Sequence, residues 1–380
     1  MTSIFVKRFR SIALFVAVLG GAAAAGAQEI RIGALFAMSG TQSAFGELMF
    51  SGAALAVDHA NADRMLSGKL TMAVEDTQGT PQLGVIGMNK LVSVEKVPYV
   101  LTSYTGVSKA VAPLGLRSKT VVVNGGAVGP DLAELGAYFW NVIPLANFEV
   151  KAFVPYLVKQ RGFKRVTLVY LDDPLGNGIR KELEASLPAV GGQLVEALSV
   201  PVAAQQFGGV AARVRESKPD VVYIASYGAQ QVSAIKQLRD NGVTQPLVSY
   251  GSFSNPEILA LPEAKGALFT TQLVDWQASD AVTRRFVDDY KAKYGKPPGV
   301  YTTNYYNMVR LFVLLARDLQ KQGKPITGEN LLAQRLASKS FDLAGSKVSF
   351  EANGTVMAPI QINEIDAGGA AKPVAVIPVN

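Results

Sequence analysis

Short apolar runs and amphipathic segments alternate along most of the chain. EIRIGALFAM (29–38) is apolar over strand length and predicts a strand. In AFGELMFSGAALAVDHANA (44–62), Leu48, Gly52, Leu55 and His59 recur at three- and four-residue steps and mark one side of a helix. LTMAVED (70–76) predicts the next strand, and QLGVIGMNKLVSVE (82–95) the next helix, packed through Val85, Met88 and Leu91 or Val92. PYVLTSY, SKAVAPLGLRSK and TVVVNGG continue the rhythm to residue 126. A second series starts near Phe148: a helix to a glycine stop at Gly162, the strand RVTLVYL, a helix ending in Gly191 and Gly192, and further strand–helix pairs to ALFTTQL (267–273). The strand cores are β-branched and almost continuously apolar, as in strands covered by helices on both faces. The expected fold is therefore α/β, with two doubly wound sheets in tandem.

The last hundred residues depart from this rhythm. AVTRRFVDDYKAKYG and YTTNYYNMVRLFVLLARDLQKQG predict two helices in succession. The segment from Ser346 to the end predicts strands and turns, with Asn353-Gly354 a hairpin signal.

Composition narrows the class. With 380 residues, 49% of them apolar, two domains are the natural expectation. Lys7, Arg8 and Arg10, an apolar run from Ile12 to Leu19 and the small-residue site Ala25-Gly26-Ala27 predict a cleaved secretory signal peptide over residues 1–27. The run is too short to span a bilayer. The mature chain is expected to be soluble outside the inner membrane. Three of the 37 basic residues lie in this leader, which has no acid, so 34 face 30 acids in the remainder. That mild excess, without Lys/Arg runs, gives no support to nucleic-acid binding. The absence of cysteine excludes disulfides, thiolate metal sites and a cysteine nucleophile. The one histidine, His59, cannot make a two-histidine metal site and is expected at the surface near a helix end.

Enzyme signatures are weak or missing. PLGNGIRKE places Lys181 where a dinucleotide fingerprint needs its third glycine. No Walker, H-E-x-x-H or G-x-S-x-G sequence occurs. Asp172-Asp173-Pro174 offers paired carboxylates but reads as a polar strand-end turn. No catalytic residue, cofactor or metal is expected. By contrast, four strand ends share one chemistry: MSGTQSAFG, TSYTGVS, NGGAVGP and ASYGAQ. Each has small residues that bare the backbone, three have hydroxyls, and each leads to a helix N-terminus that favours an anion. Helix capping is the alternative use of those hydroxyls. In open α/β sheets, ligands bind beyond such strand ends. Tyr301 and Tyr305, four residues apart, share a helical side, and Tyr305 is a candidate wall for a ring.

In these segments, and in VEDTQGTPQLGVIGMNKLV, LVYLDDPLGNGIRKELE and KPDVVYIASYGAQQVSAIKQLRDNG, the chain resembles the periplasmic solute-binding proteins of the leucine/isoleucine/valine type that serve ABC importers. The resemblance implies two α/β lobes joined by a three-crossing hinge: residues 28–145 and 274–350 in one lobe, 146–273 and 351–380 in the other. The crossings are expected near Pro144 to Asn147, Leu273 to Trp276 and Ser349 to Asn353. It implies a ligand site containing Phe45 over the ligand, Tyr104 or Thr105 at the ligand carboxylate, and backbone groups of Gly126, Ala127 and Val128. Tyr227 would close from the second lobe, and Leu175 stands where relatives have a tyrosine. Tyr250 and Phe253 fall on the second-lobe turn. A monomer, a membrane permease as partner, and a periplasmic location are implied with it. Two departures bear on the ligand. Val128 replaces a threonine that helps hold amino-acid ligands, and no acid occurs from Pro246 to Pro256 where relatives hold the ammonium. A buried ammonium without an acceptor costs on the order of several kcal/mol. The expected ligand is a small organic carboxylate, aromatic or aliphatic, without an amino group. A branched-chain or other hydrophobic amino acid or amide is the alternative, and a sensing module for a separate receptor is an alternative of another class.

Overall fold

The computed structural model describes residues 29–378, so the predicted leader lies outside the described residues. The first series forms β1 (Glu29–Phe36), α1 (Ser43–Ala62), β2 (Lys69–Asp76), α2 (Pro81–Ser93), β3 (Tyr99–Thr102), α3 (Thr105–Ser118), β4 (Val121–Asn124) and β5 (Phe139–Asn141). These strands make one parallel sheet in the order β2-β1-β3-β4-β5. Every residue of β3 and β4 is buried, which is why they read as unbroken apolar runs.

The chain then crosses to a second lobe. There it forms α4 (Ala146–Pro155), extended by one π turn (Tyr156–Gln160), then β6 (Arg165–Leu171), α5 (Pro174–Ser186), β7 (Gln193–Val200) and α6 (Gly208–Glu216). β8 (Val221–Ala225), α7 (Gly228–Asp240), β9 (Leu247–Ser249), α8 (Pro256–Leu259) and β10 (Leu268–Gln272) follow. It returns as α9 (Ala281–Tyr294), α10 (Val300–Lys321), α11 (Gly328–Ala337) and the small hairpin β11 (Phe341–Leu343) and β12 (Ser346–Val348). The last strands, β13 (Ile360–Ile365) and β14 (Ala371–Ile377), complete a seven-stranded sheet, β14-β13-β10-β9-β8-β6-β7. β13 pairs antiparallel with both β10 and β14, and the other neighbours in it are parallel.

The late helices explain the break in rhythm. α10 runs through the first lobe with sixteen of its twenty-two residues buried, packed on α1. The helices touch closely because Gly52 has no side chain: a Cβ there would lie 2.1 Å from the carbonyl oxygen of Thr302.

Two expectations need correction. The third crossing lies later than Ser349 to Asn353. The Asn141 amide donates to the carbonyl of Gly354 at 2.9 Å, the Val356 amide donates to the carbonyl of Asn141, and Phe350 packs on Phe341. Residues 350–356 thus stay with the first sheet, and 357–359 make the crossing. Asn353-Gly354 does form a turn, but it folds back onto β5 and not onto the second lobe. His59 is not a surface residue. It is buried between α1, α9 and α10, with Nδ1 2.9 Å from Tyr306 Oη and Nε2 3.0 Å from Asp289 Oδ2. Burial, reinforced by Arg285 and opposed by Asp289, holds its pKa below the ordinary histidine value.

Candidate ligand site

The C-terminal ends of the two sheets face each other, and a cavity lies between them. It is lined by Phe45, Met49, Tyr104, Thr105, Gly126, Ala127 and Tyr301 from the first lobe, and by Leu175, Tyr227, Tyr250 and Ser252 from the second. The space these residues enclose is small. The site is a narrow slot with the lobes closed around it. Tyr104 meets Tyr227 across the cleft at 5.9 Å between ring centres, and Gln42 Nε2 lies 3.4 Å from Gln230 Oε1.

Local sequence explains how these groups reach the slot. Gly46 lets the start of α1 press onto the end of β1: a Cβ there would sit 1.9 Å from the carbonyl oxygen of Ala37. Phe45 is carried in with it and meets Tyr301 edge-on at 5.3 Å. Gly176 does the same for α5 against Leu171, bringing Leu175 to the wall. Tyr104 caps α3 with φ +61°, a conformation uncommon for a residue with a side chain, and sits where such strain tends to gather. Its ring is thereby turned to the cavity, and Thr105 becomes the first residue of α3, among free helical amides.

The polar groups sort into occupied and available. Thr105 Oγ1 accepts from the Gly129 amide at 3.3 Å, leaving its O–H to donate. Ser252 Oγ accepts from Gln231 Nε2 at 2.8 Å, and only a long 3.5 Å contact to Ser249 Oγ, whose own proton goes to the Ile224 carbonyl, competes for its proton. Tyr301 Oη makes no hydrogen bond among the described residues. Tyr227 Oη donates to Asp173 Oδ2 at 2.6 Å and Tyr250 Oη to the carbonyl of Ser226 at 3.1 Å, so these two present rings and not hydroxyls. Tyr104 Oη donates to the Gln42 carbonyl at 3.3 Å. Burial raises the pKa of all four lining tyrosines, so they stay protonated. No lysine, arginine, histidine, aspartate or glutamate lines the slot.

Of the residues singled out in the sequence, Phe45, Tyr104, Thr105, Gly126, Ala127, Leu175, Tyr227 and Tyr250 are brought together in this cavity. Val128, Phe253 and Tyr305 are not. Val128 is in the first-lobe core, where its carbonyl accepts from the Ala146 amide at the first crossing. Phe253 turns into the second-lobe core against Phe269. Tyr305 lies one turn too deep on α10: it donates to the Thr102 carbonyl at 2.7 Å and supports Gly126 from beneath. Gly126 and Ala127 supply shape only, because Asn124 Oδ1 already accepts from both amides, at 3.1 and 2.8 Å.

The hydroxyls of MSGTQSAFG also find another use. Ser39 donates to Asp76 Oδ2 at 2.5 Å, and neither it, Thr41 nor Ser43 lines the slot. Asp173 caps α5 by accepting from the Gly176 amide at 2.7 Å, as a strand-end turn should. Met49, Ser252 and Tyr301 were missed. For Tyr301 the signal was present: it shares the helical side of Tyr305 but sits in the first turn of α10, nearer the cleft.

Two α/β lobes joined by three crossings, with a closed slot at the seam, define a solute-binding architecture. The periplasmic binding protein family model matches residues 29–370, and the chain belongs to that family. Among characterised relatives, the Leu/Ile/Val-binding protein BraC3 of Rhizobium johnstonii is 27% identical over 336 residues, covering 86% of this chain and 88% of that protein. The fold is similar to that of a leucine-binding protein LivK from Thermotoga maritima, with a TM-score of 0.85, 22% identity, and 92% and 99% of the two chains covered. It is also similar to a solute-binding protein of an ABC transporter from Rhodopseudomonas palustris in complex with benzoate, with a TM-score of 0.82, 19% identity, and coverage of 92% and 96%. Within the family, the chain is similar in sequence to proteins named for leucine, isoleucine and valine.

Proposed function

We propose that this protein captures a small organic carboxylate, aromatic or branched aliphatic and without an α-amino group, and presents it to the membrane permease of an ABC importer in the periplasm. One observation supports the choice of ligand: the slot has free hydroxyl donors and apolar rings but no carboxylate on its wall. An ammonium placed there would lose its water and meet no charged acceptor on the wall, at a cost of several kcal/mol. A carboxylate would be met by Thr105, Ser252 and Tyr301 and by the first amides of α3. Each hydrogen bond to a charged group is worth about 1.5–3 kcal/mol. Phe45, Met49, Leu175, Tyr227 and Tyr250 suit its apolar body.

The mechanism is capture without chemistry. A ligand that touches both lobes stabilises the closed state by its differential affinity for it. Thr105 and Phe45 would engage it from one side, and Tyr227 and Ser252 from the other. Homologues named for leucine, isoleucine and valine make a hydrophobic amino acid the rival ligand. Thermal-shift screening separates the two. Benzoate, or 4-methylpentanoate, which is leucine without its amino group, should raise the melting temperature and leucine should not. A clear shift with leucine and none with either acid rejects the proposal.

A further inference from the structure

One buried carboxyl stands just behind the slot. Glu149, in the early part of α4, is 1% exposed. Its Oε2 accepts from Thr270 Oγ1 at 2.5 Å, and the amide of Gly251 also donates to it. Gly251 lies between two lining residues, Tyr250 and Ser252. A Cβ built on it would be 3.7 Å from Tyr301 Oη and 3.9 Å from Glu149 Oε1. The carboxyl and the lining hydroxyl of Tyr301 thus approach the same glycine, and Glu149 itself does not line the slot.

Among the described residues, no cation balances Glu149. Tyr223 of β8 and Tyr301 of α10 are the titratable groups that face it. β10 brings only the Thr270 hydroxyl. The charges of α5 and β13, also packed on α4, are engaged elsewhere: Arg180 with Glu184, and Glu364 with Arg161, while Lys181 and Glu182 border a surface groove. Burial pushes the Glu149 pKa up to about 7, against the opposing hydrogen bonds of Thr270 and Gly251. A carboxyl so placed has two ways to avoid an isolated buried charge. It can bind a proton, or a ligand can bring a cation to it. The free groups of the slot are hydroxyl donors, which favour an anion. Two negative charges across one wall of low polarity repel, so the proton is the consistent solution.

We propose that the protein takes up its anionic ligand together with one proton, held on Glu149, which makes Glu149 a specificity-determining residue that acts through the wall and not by contact. The proton comes from solvent, and no bond of the ligand changes. This inference rests on the carboxylate reading given above. Its sign follows from linkage: the complex holds more protons than the free protein, so affinity falls as pH rises through the pKa of free Glu149. It levels off again above the higher pKa of the complex.

Isothermal titration calorimetry with benzoate and 4-methylpentanoate tests this, since both acids are ionised throughout the range used. Between pH 6 and pH 9 the Kd should rise about tenfold or more, by the size of a charge–charge shift in a partly buried site. Near pH 7.5, titrations in buffers of different ionisation enthalpy should report uptake of about half a proton for a tenfold change in Kd, and more for a larger change. Glu149→Gln should bind both acids with one Kd across the range and take up no proton, and that same result separates Glu149 from Asp173. Should the variant not fold, the wild-type proton count decides alone. An acid that binds with equal Kd at pH 6 and pH 9 and no proton uptake overturns this inference and leaves the carboxylate reading intact. Leucine binding with no heat from either acid overturns both.

Discussion

The two walls of the slot are built on different principles. The first-lobe wall contributes seven residues, none of them charged, and its turn at Gly126 and Ala127 is wired inward by Asn124. The second-lobe wall contributes four residues, yet two carboxyls near the slot, half-buried Asp173 and buried Glu149, belong to that lobe. Each acts one layer back: Asp173 fixes the Tyr227 ring, and Glu149 lies beneath Gly251. A donor-bearing face therefore meets a face whose Tyr227 ring is held by an acid one layer back. The first suits docking of a ligand, and the second suits closure over it.

Removing the docking donor should have the largest effect. Thr105→Val keeps the shape and deletes the hydroxyl, and should weaken benzoate or 4-methylpentanoate about tenfold to a hundredfold, the value of one hydrogen bond to a charge, measured by calorimetry. Preventing the second wall from arriving comes next. A Cβ on Gly178 of α5 would sit 2.7 Å from Pro130 Cδ of the first lobe. Gly178→Val should thus hold the lobes apart, with the radius of gyration of the ligand-saturated protein staying at its ligand-free value in small-angle scattering. Affinity should drop about tenfold, the size of a lost closure term of ~1.4 kcal/mol. Tyr227 separates ring from hydroxyl. Tyr227→Ala should cost several-fold in affinity or more, whereas Tyr227→Phe should leave affinity within about threefold and lower stability by roughly 0.5–1.5 kcal/mol, because the half-buried Asp173 loses a donor. The smallest effect is expected at Val128, which lies off the slot. Val128→Thr should change neither the Kd of the acids nor the response to leucine.

The same contrast explains how much of the molecule could be read from residues alone. The α/β alternation was legible because buried parallel strands leave unbroken β-branched runs, as in VVVN of β4. Strand-end positions such as Thr105 and Tyr227 were legible because the small polar turn and the helix start are local features. What was not legible depends on partners distant in sequence. Ser39 resembled a ligand donor until Asp76 appeared beside it. Tyr301 and Tyr305 share one helical side, and only the depth of α10 in the lobe decides which reaches the slot. His59 was placed at the surface because its partners, Tyr306 and Asp289, are more than two hundred residues away. Glu149 drew no notice for a similar reason, since Thr270, Gly251 and Tyr301 meet it only after the chain has crossed between lobes.

The account stands or falls on whether the slot accepts a carboxylate without an ammonium. Calorimetry at pH 6 with the matched pair 4-methylpentanoate and leucine asks this directly, because the two differ only in the amino group. The account predicts saturable binding of the acid and an affinity for leucine at least about a hundredfold weaker, as an unpaired buried ammonium requires. Leucine binding as tightly as the acid, or more tightly, would contradict it.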